Sequence, residues 1–144
     1  MRALIQRVKS ASVTVSGEEV GRIETGILLL LGIAKEDAES DVERLLNKTL
    51  NYRVFPDTEQ HMNLSLLDVG GALLIVSQFT LVADTKKGTR PSFSSAANPD
   101  TARRLYEEFV DRAGEQCPTA AGVFGADMQV SLVNDGPVTF MLES

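Results

Sequence analysis

The sequence contains one cysteine, Cys117, and one histidine, His61. A lone cysteine cannot form an internal disulfide, so the cysteine content gives no sign of a secreted, disulfide-stabilised protein. One cysteine and one histidine also fall short of the four ligands of a structural zinc site, and we expect no metal. A Ser-His-Asp triad would have to use His61, which lies in a polar stretch and is better interpreted as a surface residue.

Long apolar segments and a surplus of positive charge are also missing. The longest apolar run, residues 27–31, is too short to span a bilayer, and the N-terminus lacks the apolar run of a signal peptide. These absences favour a cytosolic protein without membrane contact. The net charge of −6 argues against a protein that grips many phosphates of a long duplex, so we expect no DNA partner. A nucleic-acid ligand is expected to be a few nucleotides at one end.

One local cluster of positive charge stands against this acidic background. Lys86, Lys87 and Arg90 fall within five residues, inside the segment 83–98, which is rich in turn-forming and polar residues. A solvated loop is one interpretation of the cluster, and contact with phosphate is the other. Long loops in compact domains tend to be functional or mobile, so the segment stays a candidate for binding.

The first half of the chain predicts strands followed by a helix. Alternating or continuous apolar residues predict strands at 2–9, 11–15, 20–23 and 26–34. The last of these is apolar throughout, which is typical of a strand covered on both faces. A helix with one apolar stripe follows as far as Leu50, and Asp37 or Ser40 is expected to cap its first turn.

The second half repeats this pattern. Strands are predicted at residues 64–67, 72–82, 120–124, 128–132 and 138–142. A helix is predicted from the N-cap Asn98, with Pro99 at its first position, to Gly114, which ends it.

The order of these elements predicts the fold class. Strands, helix, strands, helix and strands indicate an α+β protein with one domain over residues 1–144. We expect a curled, barrel-like, mainly antiparallel sheet with two packed helices. So many strands in a short chain leave edges unprotected, and pairing in a dimer would cover them.

Two segments are candidates for a functional site. Ser77-Gln78-Phe79-Thr80-Leu81 lies where an apolar strand turns polar, although an ordinary strand with Phe79 and Leu81 in the core would show the same pattern. Asn134 to Thr139 is predicted as a turn between the last two strands, and its Gly136-Pro137 bond can be trans or cis. Most carboxylates cluster on the helix faces. Any catalysis is therefore expected to use backbone groups or the substrate itself.

Four segments together resemble the D-aminoacyl-tRNA deacylase family over essentially the whole chain. The matching segments are Met1-Arg2-Ala3 with Gln6-Arg7-Val8; Met62-Asn63-Leu64-Ser65; Ser77 to Leu81 with Ala83-Asp84, Lys87-Gly88 and Arg90-Pro91-Ser92-Phe93; and Gly136-Pro137-Val138-Thr139. The pentapeptide and the Gly-Pro-Val-Thr segment are specific as a pair, although each alone is a weak signal.

The resemblance implies a homodimer that hydrolyses the ester between a D-amino acid and tRNA, without a cofactor. It implies that a pocket for the terminal adenosine and its aminoacyl group is lined by Ser77, Gln78, Phe79 and Thr80. It also implies a cis Gly136-Pro137 peptide that enters the partner subunit's pocket, rejects L-amino acids by steric clash and is steadied by Arg7. Many D-amino acids, and glycine, would pass such a filter.

Two mechanisms of ester hydrolysis are compatible with the resemblance. Backbone N–H groups near Phe79 are expected to hold the oxyanion while the ribose hydroxyl beside the ester activates water. Thr80 as a covalent nucleophile is the competing mechanism, although no base that would activate it is evident. A non-catalytic dimer that binds tRNA or another nucleic-acid end stays open as a different class of function.

Overall fold

The computed structural model describes residues 1–144, which form eight strands, three α-helices and one 3-10 helix. The strands are β1 (Arg2–Val15), β2 (Glu18–Ile23), β3 (Gly26–Gly32), β4 (Phe55–Pro56), β5 (Met62–Leu64), β6 (Ala72–Ser77), β7 (Thr119–Ala121) and β8 (Gln129–Glu143). The helices are α1 (Glu39–Asn51), α2 (Leu66–Val69), the 3-10 helix Phe79–Val82 and α3 (Pro99–Gly114). None of the helices combines the length and the hydropathy that a membrane-spanning helix requires.

Strand β1 is the centre of the main sheet. It pairs antiparallel with β3 and then β2 along one edge, and with β8 along the other. Strand β6 continues the sheet parallel to β3, and β7 continues it parallel to β6. The curl of the sheet brings β2 close to β7. The two strands approach so tightly that a Cβ on Gly21 of β2 would lie 2.9 Å from the carbonyl oxygen of Ala121 in β7. The predicted α+β fold with a curled, barrel-like sheet is confirmed, and its pairing is mixed, with three antiparallel and two parallel strand pairs.

The core lies on both faces of the parallel pair β3 and β6. Ile27, Leu29 and Leu31 of β3 belong to the large apolar cluster that also contains the buried faces of α1 and α3. Leu28 and, on β6, Leu74 belong to a smaller cluster inside the curl of the sheet. The prediction that the apolar run is a strand covered on both faces is confirmed. This burial makes the ends of β3 and β6 a rigid place for a site.

The two long helices lie where the sequence predicts them, but the predicted cap of α1 is wrong. Neither Asp37 nor Ser40 is the N-cap, which is Ala38. The Asp37 carboxylate instead accepts from the Met1 ammonium at 2.6 Å and from the Ala34 N–H at 2.7 Å. This ion pair across the fold occupies the oxygens that would otherwise cap the helix.

The predicted strand at residues 64–67 is also wrong. Strand β5 ends at Leu64, and the one-turn helix α2 follows it, so the fold has a third, short helix. The Ser65 hydroxyl accepts from the Asp68 N–H, and the Asp68 carboxylate accepts from the Ser65 N–H. This reciprocal capping at a spacing of three residues starts a helix, and Gly70 at φ 63° ends it.

Other strand boundaries also differ from the prediction, and the strand predicted at 120–124 is β7, which ends at Ala121. The predicted strands 2–9 and 11–15 are one strand, because β8 pairs with β1 across the interval between them. The predicted strands 128–132 and 138–142 are likewise the single strand β8. Both long strands therefore depend on their mutual pairing, which is a tertiary contact that no local pattern contains.

Helix α3 yields a stability prediction. The Asn98 side-chain oxygen accepts from the Thr101 N–H at 3.0 Å, which confirms Asn98 as the cap. Replacing Asn98 by Ala leaves that N–H without its partner, and we expect a loss of about 1 kcal/mol in the free energy of unfolding. Asn98→Asp keeps an acceptor and is the control. Urea denaturation checks the pair, and equal losses for both variants would contradict the capping role.

Candidate functional site

The chain turns sharply at the end of β6, where the sequence predicts a strand that continues to residue 82. Strand β6 ends at Ser77. The Gln78 N–H then donates to the carbonyl oxygen of Leu31 at 2.8 Å, which is the last bond to β3 before the 3-10 helix begins at Phe79. Phe79 is consequently exposed and is not a core residue of a longer strand.

Gly32 allows this turn to form. A Cβ on Gly32 would lie 2.9 Å from the Cβ of Leu81, 3.1 Å from the Gln78 carbonyl oxygen and 3.2 Å from a methyl of Val82. The absence of a side chain lets the 3-10 helix pack directly on the end of β3. The sequence reasoning missed this residue, because a glycine at the end of an apolar strand also fits an ordinary strand terminus.

The first turn of the 3-10 helix offers free backbone donors. The leading N–H groups of a helix have no acceptor within it, and no side chain accepts from Phe79 or Thr80. The side chain of Gln78 donates to the Thr80 hydroxyl, and no carboxylate or imidazole is bonded to that hydroxyl. The arrangement therefore offers N–H groups that can bind a developing oxyanion, and it lacks a base that would activate Thr80.

A cavity of about 510 Å³ opens beside this turn. Ser77, Gln78 and Phe79 line it together with mainly apolar residues, which include Ile33, Val76, Pro99, Phe124, Met128 and Val130. The Phe124 ring contacts two side chains. Its centroid lies 5.7 Å from the centroid of the Tyr106 ring and 4.9 Å from the Arg103 guanidinium. An apolar cavity with a few polar groups at one end is the usual form of a small-ligand site.

Tyr106 fixes the wall of the cavity. Its hydroxyl donates to the carbonyl oxygen of Ile75 at 2.9 Å and lies 3.3 Å from that of Gly122. Burial raises the pKa of Tyr106 to about 12, so the hydroxyl keeps its proton at neutral pH. Tyr106 therefore joins β6 to the segment that precedes Phe124.

The second candidate segment is a bulge within β8, so the predicted turn between two strands is wrong. Gln6 pairs with Thr139, and Val8 pairs with Asn134. Between these pairs β1 has one residue, Arg7, and β8 has the four residues 135–138. The Gly136-Pro137 peptide in this bulge is cis.

Arg7 and Asn134 hold the bulge in place. The Arg7 guanidinium donates to the carbonyl oxygens of Asp135 at 2.9 Å and Val54 at 2.6 Å, and its side chain is only 12 % exposed. The Asn134 side chain accepts from the Val138 N–H at 2.7 Å and donates to the Thr139 hydroxyl at 2.9 Å. Gly136 and Pro137 are exposed at the tip, so the bulge presents rigid backbone to solvent.

A single chain does not bring the two segments together. Neither Gly136, Pro137 nor Arg7 lines the cavity beside Phe79. Arg7 pairs with Ile27, while Ser77 pairs with Leu31, so the two positions are four residues apart along β3. At 3.3 Å per residue this separation is about 13 Å along the strand.

The three predicted phosphate contacts lie on one loop beside the site. Lys86, Lys87 and Arg90 are exposed, and none of them forms an ion pair. Asp84 and Ser92 exchange two backbone hydrogen bonds, at 2.8 and 2.9 Å, that close the base of this loop. The loop is therefore an ordered projection with free positive charge.

The lone histidine and cysteine lie apart from these features. His61 is exposed, and burial raises the pKa of the Cys117 thiol, which disfavours a reactive thiolate. No group of three or more His, Cys, Asp or Glu side chains is placed to hold a metal ion.

Comparison with known proteins identifies the family. A family model described as D-Tyr-tRNA(Tyr) deacylase matches residues 4–143. The chain belongs to this family. It is 58 % identical to a D-aminoacyl-tRNA deacylase of Teredinibacter turnerae and 57 % identical to one of Vibrio cholerae, and the matches cover all of each chain. A third relative of this description, from Thermosipho africanus, is 57 % identical, with 97 % of its length covered.

Two solved structures share the fold. One, described as c-Myc DNA unwinding element binding protein, superposes with a TM-score of 0.95 at 42 % identity and covers 100 % of this chain and 99 % of its own. The other, described as a "probable eukaryotic D-amino acid tRNA deacylase", has a TM-score of 0.84 at 17 % identity, with 99 % and 98 % covered. The second likeness establishes the fold alone.

The packing of the 3-10 helix on β3 yields a second prediction. Gly32→Ala places a Cβ against Leu81 and the Gln78 carbonyl, so we expect the helix to shift and the protein to lose about 1–3 kcal/mol of stability. The amide resonances of Phe79 and Thr80 report the shift. Gly114→Ala in α3 meets no atom within 4 Å and is the control. Unchanged resonances in Gly32→Ala would contradict the packing role.

Proposed function

We propose that this protein hydrolyses the ester bond that joins a D-amino acid to the 3′ end of tRNA, and that it does so in the cytosol without a cofactor. Membership of the deacylase family supports the reaction class. The observation that carries the proposal is an apolar cavity lined by Ser77, Gln78 and Phe79, at the start of a 3-10 helix whose leading N–H groups have no acceptor within it; Thr80 follows Phe79 in this helix but does not line the cavity. It combines room for an adenosine with donors for an oxyanion.

The proposed chemistry uses backbone and substrate. The carbonyl oxygen of the ester becomes an oxyanion when water attacks, and the N–H groups at the start of the 3-10 helix stabilise this charge. The ribose hydroxyl beside the ester accepts a proton from the attacking water and passes its own proton to the neighbouring ribose oxygen, which leaves as a hydroxyl when the bond from the acyl carbon to that oxygen breaks. Thr80, whose hydroxyl accepts from Gln78, has no base to make it a nucleophile. The products are free amino acid and tRNA with its terminal hydroxyl restored.

The proposed active form is a homodimer in which each site uses two chains. The bulge at Gly136-Pro137 and the cavity lie at different levels of one chain's sheet, so a second copy is needed to join them. Strand β8 pairs only with β1, which leaves its other edge free. Val133 and Met141 on this strand are 53 % and 46 % exposed. A free strand edge of this length, flanked by exposed apolar side chains, is a surface that pairing would cover.

We propose that the site selects D-amino acids by excluding the L side chain. The backbone carbonyls of Gly136 and Pro137 lie in the bulge that Arg7 anchors through the neighbouring Asp135 carbonyl; in the proposal they accept from the α-ammonium of the substrate and leave no room for an L side chain. A D side chain points away from them. Because no pocket has to recognise the side chain, many D-amino acids are substrates, and glycine, which has no side chain, also passes.

A binding module without chemistry is the second candidate. One observation favours it, because the relative at 42 % identity is described as a DNA-element binding protein. The free cations Lys86, Lys87 and Arg90 would serve either function by contacting phosphate. Release of free amino acid separates the candidates, since a binding module retains the ester.

The chirality filter gives a third prediction. In single-turnover assays wild type releases amino acid from D-Tyr-tRNA and leaves L-Tyr-tRNA intact. Gly136→Ala places a Cβ 3.1 Å from the Val138 nitrogen and 3.2 Å from the Arg7 guanidinium, which moves the bulge. We expect the D-ester rate to fall on the order of 100-fold, because a displacement of about 1 Å has that effect.

The matched control for this variant is Gly17→Ala. Gly17 also has a positive φ, 82°, but a Cβ there meets no atom within 4 Å. It therefore reproduces the backbone strain without moving the bulge, and we expect unchanged rates. Absence of release from either ester by wild type would overturn the hydrolase proposal and leave the binding module.

The proposed mechanism gives a fourth prediction. Replacing the terminal ribose by 2′-deoxyribose in a 3′-D-aminoacyl-tRNA removes the hydroxyl that activates water, and we expect the rate to fall about 10²- to 10⁴-fold. Thr80→Val keeps the shape of the side chain and should retain most of the activity on ordinary substrate. A Thr80→Val enzyme without activity, together with full activity on the deoxy substrate, would favour the covalent mechanism.

A further inference from the structure

Phe79 and Phe93 form an exposed pair of aromatic rings. Their centroids are 5.0 Å apart with an angle of 55° between the planes, and the residues are 58 % and 43 % exposed. A phenylalanine side chain is favoured in the core, where it removes a large apolar area from water. Two rings that contact each other yet stay exposed leave ring surface available to a ligand.

The pair stands between the cavity and the basic loop. Phe79 lines the cavity, and Phe93 directly follows Ser92, whose backbone closes the loop that carries Lys86, Lys87 and Arg90. The Ser95 hydroxyl donates to the Val82 carbonyl, and the Ser95 carbonyl accepts from the Lys35 N–H at 3.0 Å. These bonds tie the segment after Phe93 to both the 3-10 helix and the segment that follows β3.

The surroundings favour a nucleic-acid strand as the ligand. Lys86, Lys87 and Arg90 are exposed and form no ion pair, so their charge is free for phosphate. Aromatic faces beside free cations are the features with which proteins bind single-stranded nucleic acid, because bases stack on the rings while cations follow the backbone.

We propose that the Phe79-Phe93 pair is a stacking platform for the penultimate base of the tRNA, the cytosine that precedes the terminal adenosine. This inference rests on the proposed function, which places the terminal adenosine in the cavity. The preceding nucleotide then leaves through the mouth of the cavity, where Phe79 stands, and its phosphate faces the basic loop. Phe93 thus contributes to binding of the acceptor end and takes no part in the chemistry.

A double-mutant cycle tests the platform. The rate constant kcat/KM is measured for D-aminoacyl-tRNA with a normal or an abasic penultimate nucleotide, using wild type and Phe93→Ala. One stacked base contributes about 1–3 kcal/mol, so each single change should lower kcat/KM about 5- to 150-fold. The two changes remove the same contact, and together they should lower it no further than either alone.

Two controls separate stacking from loss of structure. D-aminoacyl-adenosine has no penultimate nucleotide, so wild type and Phe93→Ala should hydrolyse it equally. Phe93→Trp keeps a ring face and should retain binding of the full tRNA, whereas Phe93→Leu keeps an apolar side chain without a ring face and should lose it.

Several outcomes would overturn the inference. Additive losses in the cycle would mean that Phe93 and the penultimate base do not touch. An equal loss on D-aminoacyl-adenosine would mean that Phe93 only supports the fold, and a dimer weakened by Phe93→Ala would mean that a second copy of the chain covers the rings. Wild type that hydrolyses neither substrate would overturn the proposed function itself, and the inference with it.

Discussion

Strand β1 forms hydrogen bonds along both of its edges, and the rest of the fold depends on this pairing. One edge carries β3 and then β2, which starts the curl of the sheet, and the other carries β8 for nearly the full length of both strands. The register with β3 places β6, and therefore Ser77, at one level. The register with β8 places the four-residue bulge 135–138 opposite Arg7, at a second level along the sheet. One strand thus fixes the position of both candidate segments.

The proposed chemistry uses the places where this pairing is interrupted. At the 3-10 helix after β6 and at the bulge in β8, backbone groups leave the regular pairing of the sheet. Each is held by a residue whose role is geometric: Gly32 lets the helix approach β3, and Arg7 joins the Asp135 carbonyl of the bulge to the Val54 carbonyl outside it. An enzyme that uses backbone donors and a substrate hydroxyl needs such rigid supports more than it needs acidic or basic side chains.

Local signals predict the elements whose sequence pattern is distinctive by itself. The α3 cap at Asn98 follows from residue spacing, and the strand predicted at 26–34, observed as Gly26–Gly32, follows from its apolar content. The local pattern at Gly136-Pro137 predicts a turn, because only the pairing of β8 with β1 distinguishes a bulge from a turn. The site residues came from resemblance to a family, since Ser77 to Thr80 also fit an ordinary strand. Phe93 appeared there only as part of a matching segment, and its contact with Phe79 is a tertiary feature.

Subunit mixing tests the central claim, that one site is built from two chains. Gly32→Ala disturbs the N–H groups beside the cavity, and Gly136→Ala disturbs the bulge. When the two variants are unfolded together and refolded as an equal mixture, half of the dimers carry one chain of each, and one of their two sites is intact. The account predicts recovery of about a quarter of wild-type activity on D-Tyr-tRNA. A mixture as inactive as each variant alone would place the whole site within one chain.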